Sequence, residues 1–455
     1  MTFALSSSLF APAFLDAHID ELLGDASYFR SLLQVEVALA RAQARLGLIP
    51  AAAAASIESA AARMPLDRAA LARGVARDGI PTLALVAELR ALVGPDAARF
   101  VHLGATSQDI MDSAQVLCFE RALAHIDQGL TDLLARLAEL ARRHRDTLMV
   151  ARTHGQHALP SRFGLKVTSW ALPLVRHRER LVQLRARLAV IQLGGAAGTL
   201  AALGPRALEL CDAFALELGL GVPELPWHAQ RDNIAELGSW LSLVTGSLGK
   251  LAQDVIAMCQ SEVAELSEAE PGQRGASSSM PHKNNPMLSE QILAAARFVS
   301  GQLATLHHAQ VQEHERGTHG WQVEWLCVTP MLQLTGGAVS NALLLARGLR
   351  VDRARMRENL LSHSGLALSE AAAEALSNLL PQSEARALVT AASEFARAEG
   401  RSLIEVLRAE LSKVAPEAQV DWARLSDPAS HVGQADALID RALARIDAQV
   451  PGITR

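Results

Sequence analysis

Three short stretches carry side chains whose types and spacing could do chemistry. In GASSSMPHKNNP (275–286), Ser277, Ser278 and Ser279 precede Met280 and Pro281, and Lys283 and Asn285 follow closely. A linker explains hydroxyls. It does not explain an ammonium and a carboxamide set just ahead of Pro286, where the chain reads as re-entering a helix. The first amides of a helix lack intrahelical acceptors, so a cation beside them makes a place for an anion. Pro271, Gly272 and Gly275 loosen the segment upstream, so a serine hydroxyl there can close over whatever is bound.

The second stretch is RTHGQHALP (152–160), where Arg152, Thr153, His154, Gln156 and His157 crowd a turn ahead of Pro160. An imidazole moves protons near neutrality, and arginine and glutamine hold carboxylates. The His-x-x-His spacing also suits a metal, but no third ligand follows at a useful distance, and no metal is expected. In the third, GATSQDIMDSA (104–114), Thr106 and Asp109 have the spacing of a capping box, which predicts a helix start. Either this is a capped helix and nothing more, or its free amides and the Thr106 and Ser107 hydroxyls take a carboxylate. LGGAAGTLAALG (193–204) fits neither phosphate-loop pattern and follows no strand, so it reads as a turn between helices.

The elements that position these stretches read as helices. Leu32, Val35, Leu39, Ala42 and Leu46 form a stripe that stops at Gly47 and Pro50, and Leu174, Leu181, Leu184 and Leu188 form another. The run from Leu237 to Leu266 is apolar nearly all round, which predicts a helix inside a bundle. No strand–turn–helix alternation appears, so an α/β fold is not expected. Half of the 455 residues are hydrophobic, yet there is one tyrosine, and Ala and Leu dominate, which favours helix over sheet. The expectation is an all-α fold in three segments, 1–105, 106–355 and 356–455, with the long helices in the middle one.

Charge and cysteine content narrow the function. Lys plus Arg number 43 against 48 Asp plus Glu, a net charge of -5, so no nucleic-acid partner is expected and an anionic substrate needs local cations. Cys118, Cys211, Cys259 and Cys327 form no CxxC pair and read as buried free thiols. No apolar run is long enough to span a bilayer, and no Lys or Arg precedes Arg30, so neither a membrane anchor nor a basic signal-peptide start is read and a cytoplasmic location is expected.

Taken together, the three stretches resemble the fumarase/aspartase superfamily. SSSMPHKNNP is similar to its G-S-S-x-M-P-x-K-x-N-P signature, GATSQDIMDSA to its T-S-x-D-x-x-D-T-A element and RTHGQHALP to its T-H-x-Q element. LLQVEVALARAQARLGLIP, WHAQRDNIAELG, HERGTHGWQVEW and DPASHVGQA resemble the bacterial 3-carboxy-cis,cis-muconate cycloisomerase branch. The resemblance implies an all-helical, three-domain chain. It also implies a homotetramer whose active sites draw their motifs from different subunits, and lactonisation of a small tricarboxylate without a cofactor.

The resemblance also implies roles. Ser277 is the acid or base at carbon, and Lys283 and Asn285 hold a substrate carboxylate and the aci-carboxylate. His154 is the second acid/base, oriented by Glu290. Thr106, Ser107 and Gln156 bind carboxylates; beyond what the resemblance implies, Thr153 and Ser278 are read as further substrate contacts, and Arg152 and Arg316 as the cations expected around a tricarboxylate. Arg231 is a weaker candidate, and Trp321 and Trp325 read as packing. Ala276 stands where the signature has glycine, which raises the expectation of altered loop closure or a register shifted to Ser278. An adenylosuccinate lyase-like or other fumarate-releasing activity is the alternative. No histidine lies between His18 and His102, where adenylosuccinate lyases carry one.

Overall fold

The computed structural model describes residues 4–269 and 274–450. Pro271 and Gly272, expected to loosen the serine segment, lie outside the described residues. Among the described residues the fold is helical, with two small antiparallel sheets. Five helices are long: α1 (Ser107–Arg143), α2 (Phe163–Leu188), α3 (Asp232–Cys259), α4 (Met287–Ala309) and α5 (Gly320–Gly348). The sheets are a hairpin of β1 (Leu148–Thr153) and β2 (Gln156–Arg162), and a short pair of β3 (Leu266–Ser267) and β4 (Arg350–Val351).

The chain divides into two compact units, the first made of Met1–Leu130, Arg176–Leu248 and Gln291–Ser340, the second of Thr131–Val175, Gly249–Glu290 and Asn341–Arg455. The division falls inside each of the five long helices.

Within the first unit the long helices pack closely. Trp240 on α3 donates its indole N–H to the His177 carbonyl of α2 at 2.8 Å, and Arg178 on α2 pairs with Asp127 on α1 at 2.6 Å. A β-carbon at Gly238 would overlap Leu306, so α3 and α4 approach as closely as a glycine allows. The predicted stripe at Leu32, Val35, Leu39 and Ala42 is buried on Asp25–Arg45, and that helix stops before Gly47, whose φ is +68°. Leu174, Leu181, Leu184 and Leu188 are buried along α2. Helix α3 is shorter than its apolar pattern implied. It ends at Cys259; the chain then turns through residues 260–264, with Ala264 at a left-handed φ of +51°, and enters β3. Cys118, Cys211 and Cys327 are buried free thiols and Cys259 is half-buried.

Two buried histidines link the fold to pH. His177 in the first unit meets the Ser247 hydroxyl at 2.8 Å; His144 in the second unit meets that of Thr147 at 3.1 Å. Burial first, then nearby arginines, pushes each from 6.5 down to about 4. Such a group is neutral when folded but takes up a proton when unfolded. Its stabilisation is therefore complete above pH 6.5 and lost as pH falls toward 4, amounting to about 3 kcal/mol for each. Denaturant midpoints at pH 7.5 and pH 5 are expected to fall on acidification. His144→Gln is expected to reduce that fall; an undiminished fall would show that His144 is not a source of it.

Candidate active site

The serine stretch is a loop closed at its neck. The Asn285 amide donates to the Gly275 carbonyl at 2.9 Å, and Ala276 and Asn284 form an antiparallel bridge just inside. Gly275 has φ +67°, and a β-carbon there would overlap the Asn285 carbonyl. The position that requires glycine is therefore 275. Ala276 lies in the bridge, outside the set of positive-φ residues, so its β-carbon brings none of the expected strain.

Above the neck, the Ser277 Oγ accepts from the amides of Met280 at 3.1 Å and Ser279 at 3.4 Å. Two amides directed at one hydroxyl oxygen stabilise it when it carries negative charge. Ser278 is exposed, and its side chain has no partner among the described residues. Lys283 is exposed, and its amide donates to the Met280 carbonyl at 3.0 Å, so hydroxyl and ammonium ride on the same turn.

The start of α4 differs from expectation in one respect. The carboxylate of Glu268, 3% exposed, accepts from the amides of Leu288 at 2.8 Å and Ser289 at 2.7 Å. These are the helix-end amides that the sequence offered to an external anion. The chain's own carboxylate has taken them, which leaves Lys283 and Asn285 to hold any ligand. Glu290 lies in the first turn of α4 and is exposed.

The histidine stretch forms the tip of the β1–β2 hairpin. Thr153 pairs with Gln156 across a two-residue loop of His154 and Gly155. Both loop residues have positive φ, 49° at His154 and 76° at Gly155. That is the sign pattern of a tight hairpin turn. Thr153, His154 and Gln156 are exposed there. His157 does not join His154. It packs edge-on against His363, ring centroids 5.0 Å apart, and burial with Arg152 nearby holds it below the ordinary histidine value. Arg152 is already committed. Its two terminal nitrogens grip buried Glu265 at 2.9 and 2.7 Å, and Asn359 adds a third bond to that carboxylate at 2.8 Å. The geometry gives Arg152 an ion pair that pins β1, in place of the free cation the sequence suggested.

The residues named so far belong to the second unit; Thr106, Ser107 and Arg316 belong to the first. Thr106 precedes α1, and its amide donates to Asp109 at 2.9 Å, one arm of the expected capping box. Its hydroxyl accepts from Arg316 at 3.1 Å, and Arg316 also donates to the Gly195 and Ala196 carbonyls at 3.3 and 3.2 Å. Arg316 thus links two of the sequence motifs. Ser107 is half-buried in the first turn of α1.

Behind Thr106 lies a support that the motifs only hinted at. Buried Asp109 accepts from His228 at 2.7 Å and from the Gly194 and Gly195 amides at 3.0 Å, so the glycine-rich turn wraps a carboxylate of the chain itself. One turn on, Asp112 and Glu324 clamp Arg231, 1% exposed, with contacts of 2.6 to 3.2 Å. Trp321 donates to Asp112 at 3.0 Å, and the Arg231 guanidinium lies 4.6 Å from the Trp227 ring centre. Burial opposes the charge of Arg231, and the two carboxylates more than offset it, holding the guanidinium above its ordinary value. Arg231 is therefore a packed structural cation, not a substrate contact, and Trp321 and Trp325 stack edge-on at 4.9 Å as packing residues. Among the described residues, no three His, Cys, Asp or Glu side chains are grouped to hold a metal ion, and no helix is long and apolar enough to cross a membrane.

Known proteins are similar to this chain over nearly its full length. Residues 11–301 match the family model described as Lyase. A 3-carboxy-cis,cis-muconate cycloisomerase of Bradyrhizobium diazoefficiens is 43% identical over 444 residues, 97% of this chain and 98% of its own. A nitrosuccinate lyase of Streptomyces davaonensis is 41% identical over 99% of both chains. The crystal structure of 3-carboxy-cis,cis-muconate lactonizing enzyme from Pseudomonas putida superposes with a TM-score of 0.91 at 40% identity, covering 97% of this chain and 99% of that one.

Proposed function

Because the chain belongs to the lyase family of the fumarase/aspartase superfamily, we infer that it is a 3-carboxy-cis,cis-muconate cycloisomerase, closing its substrate to 4-carboxymuconolactone. The observation that carries the mechanism is the closed loop, which presents the Ser277 hydroxyl, backed by two amides, on the same turn as Lys283. One substrate carboxylate adds to a carbon of the diene, forming the ring C–O bond. The displaced electron pair moves into the neighbouring carboxylate as an aci-carboxylate, which Lys283 and Asn285 stabilise. Ser277 then delivers its proton to carbon, and no atom is lost. In reverse, the Ser277 oxyanion removes that proton and the ring oxygen leaves.

Thr106, Ser107, Thr153, Gln156, Ser278 and Arg316 are read as substrate contacts, and Glu290 as the partner that orients His154. Arg152 is read as positioning the hairpin. The site is read as completed in a cytoplasmic homotetramer of three-segment chains (1–105, 106–355, 356–455). Val182, Leu243 and Leu326 of the first unit support an interface, since these large apolar side chains are well exposed in a single chain. Exposed apolar surface of this kind commonly marks a contact with another chain.

The direct test is ultraviolet turnover of 3-carboxy-cis,cis-muconate, expected to be saturable. Inertness toward it, with fumarate released from nitrosuccinate or adenylosuccinate, would favour the second reading. That reading, a fumarate-releasing lyase, is supported by the similarity to the nitrosuccinate lyase. The His154→Ala variant separates lactonisation from release of a basic amine leaving group, as from adenylosuccinate. A carboxylate leaving group, with a pKa near about 4, needs no strong acid, so lactone turnover is expected to stay within about tenfold of the parent. Loss of several orders of magnitude would overturn the minor role of His154.

A further inference from the structure

We infer that the arginine-lined cleft of the second unit is a second anion site, built for a compact oxyanion carrying at least two negative charges. The cleft has a volume of about 370 Å³ and is lined by Arg143, His144, Arg347, Gly348, Arg350 and Arg353. Arg143 comes from the end of α1, Arg347 and Gly348 from the end of α5, Arg350 from β4, and Arg353 from the helix that follows. Arg353 donates to the Arg143 carbonyl at 2.8 Å, which holds two of the guanidinium-bearing residues together. Among the described residues, no carboxylate lies within ion-pair distance of Arg143, Arg347 or Arg353. Two neighbouring acids are committed elsewhere: Asp352 caps the Arg355 amide at 2.8 Å, and Glu268 caps α4. His144, buried beside them, has its pKa lowered first by burial and then by Arg353 and Arg143, which places both guanidinium groups near its ring. Four exposed arginines lining one small cleft offer several N–H donors, which suit the acceptor oxygens of a phosphate or a small dicarboxylate. No aromatic side chain lines the cleft besides His144, so nothing there would stack a nucleobase.

The site is wired to the serine loop. Arg350 pairs with Ser267 in the β3–β4 ladder, and a β-carbon on Gly348 would stand 2.7 Å from the Glu268 carbonyl. Glu268 in turn holds the first amides of α4, directly after Lys283 and Asn285. An anion that orders the cleft therefore orders the stem from which that loop springs. The cleft binds its anion whichever reaction the chain performs.

The test is calorimetric titration of the full-length protein with inorganic phosphate in low-salt buffer, and separately with malonate. The two arms show whether phosphate or carboxylate is preferred. A saturable site separate from the active site is expected, weakened at least about tenfold in Arg143→Gln/Arg347→Gln and retained in Lys283→Gln. Hydrogen exchange of residues 274–286 is expected to slow on binding in the parent but not in the double variant. If the double variant fails to fold, Arg347→Gln alone carries the comparison. No binding of either anion, or binding lost with Lys283 and kept without the arginines, overturns the site. Binding that leaves exchange at 274–286 unchanged overturns its coupling to the loop.

Discussion

In a Ser277→Ala variant, turnover of 3-carboxy-cis,cis-muconate falls by about a thousandfold while KM changes little. The size follows from what is removed. Ser277 is the hydroxyl whose oxygen faces two backbone amides, those of Ser279 and Met280. These make it the best placed of the three serines to carry negative charge after giving up a proton and to take one back. Water replacing it would have neither the amides nor the fixed position. Lys283 and Asn285 remain in the variant, so the carboxylate is still held, which keeps KM near the parent value. Ser278→Ala is expected to retain at least about a tenth of the activity, because that side chain accepts no backbone amide in the loop. The reverse ranking, with the 278 variant crippled and the 277 variant active, would move the proton donor one residue along and discard the assignment to Ser277.

Arg231→Met is expected to be the most damaging single change to stability, costing about 3–5 kcal/mol. The guanidinium is buried between Asp112 and Glu324, and its removal strands two carboxylates away from water. Burial already raises Glu324 above its ordinary value with Arg231 in place, so the lost cation can only push it further. Asp112 sits one turn after Asp109 on α1, and Glu324 lies near the start of α5, so the clamp also supports the Thr106 and Arg316 ends of the first unit. Urea denaturation measures the loss. Adding Asp112→Asn and Glu324→Gln to the Arg231→Met chain is expected to recover part of it, since the stranded charges are then gone. Parent-like stability in the single variant would contradict a structural role for the clamp.

Much of the fold was legible in the residues because it is local. The stripe from Leu32 to Ala42, the Thr106–Asp109 capping spacing and the glycine after His154 each depend on neighbours a few positions away. What escaped was long-range. Nothing near Asp109 in sequence points to His228, and nothing near Arg152 points to Glu265, although each pair meets at hydrogen-bond distance. An acid or arginine within an apolar helical pattern signals that a partner exists but not which one. Glu268 is hidden for the same reason: an exposed-looking glutamate in SEAE caps a helix nineteen positions on, which the helix start alone does not reveal. The misplaced end of α3 has another cause. Apolar periodicity reports which faces are buried and is blind to a turn such as the one through residues 260–264.

The bond between Gly275 and Asn285 has a consequence for selectivity. Because the neck is tied, the Ser277 hydroxyl and the Lys283 ammonium sit on one loop, so under the roles proposed for them the proton donor and the carboxylate grip are held together. A molecule that offers nothing for the ammonium to hold also fails to draw the hydroxyl into reach, so recognition and reaction fail together and near-substrates are spared wasteful chemistry.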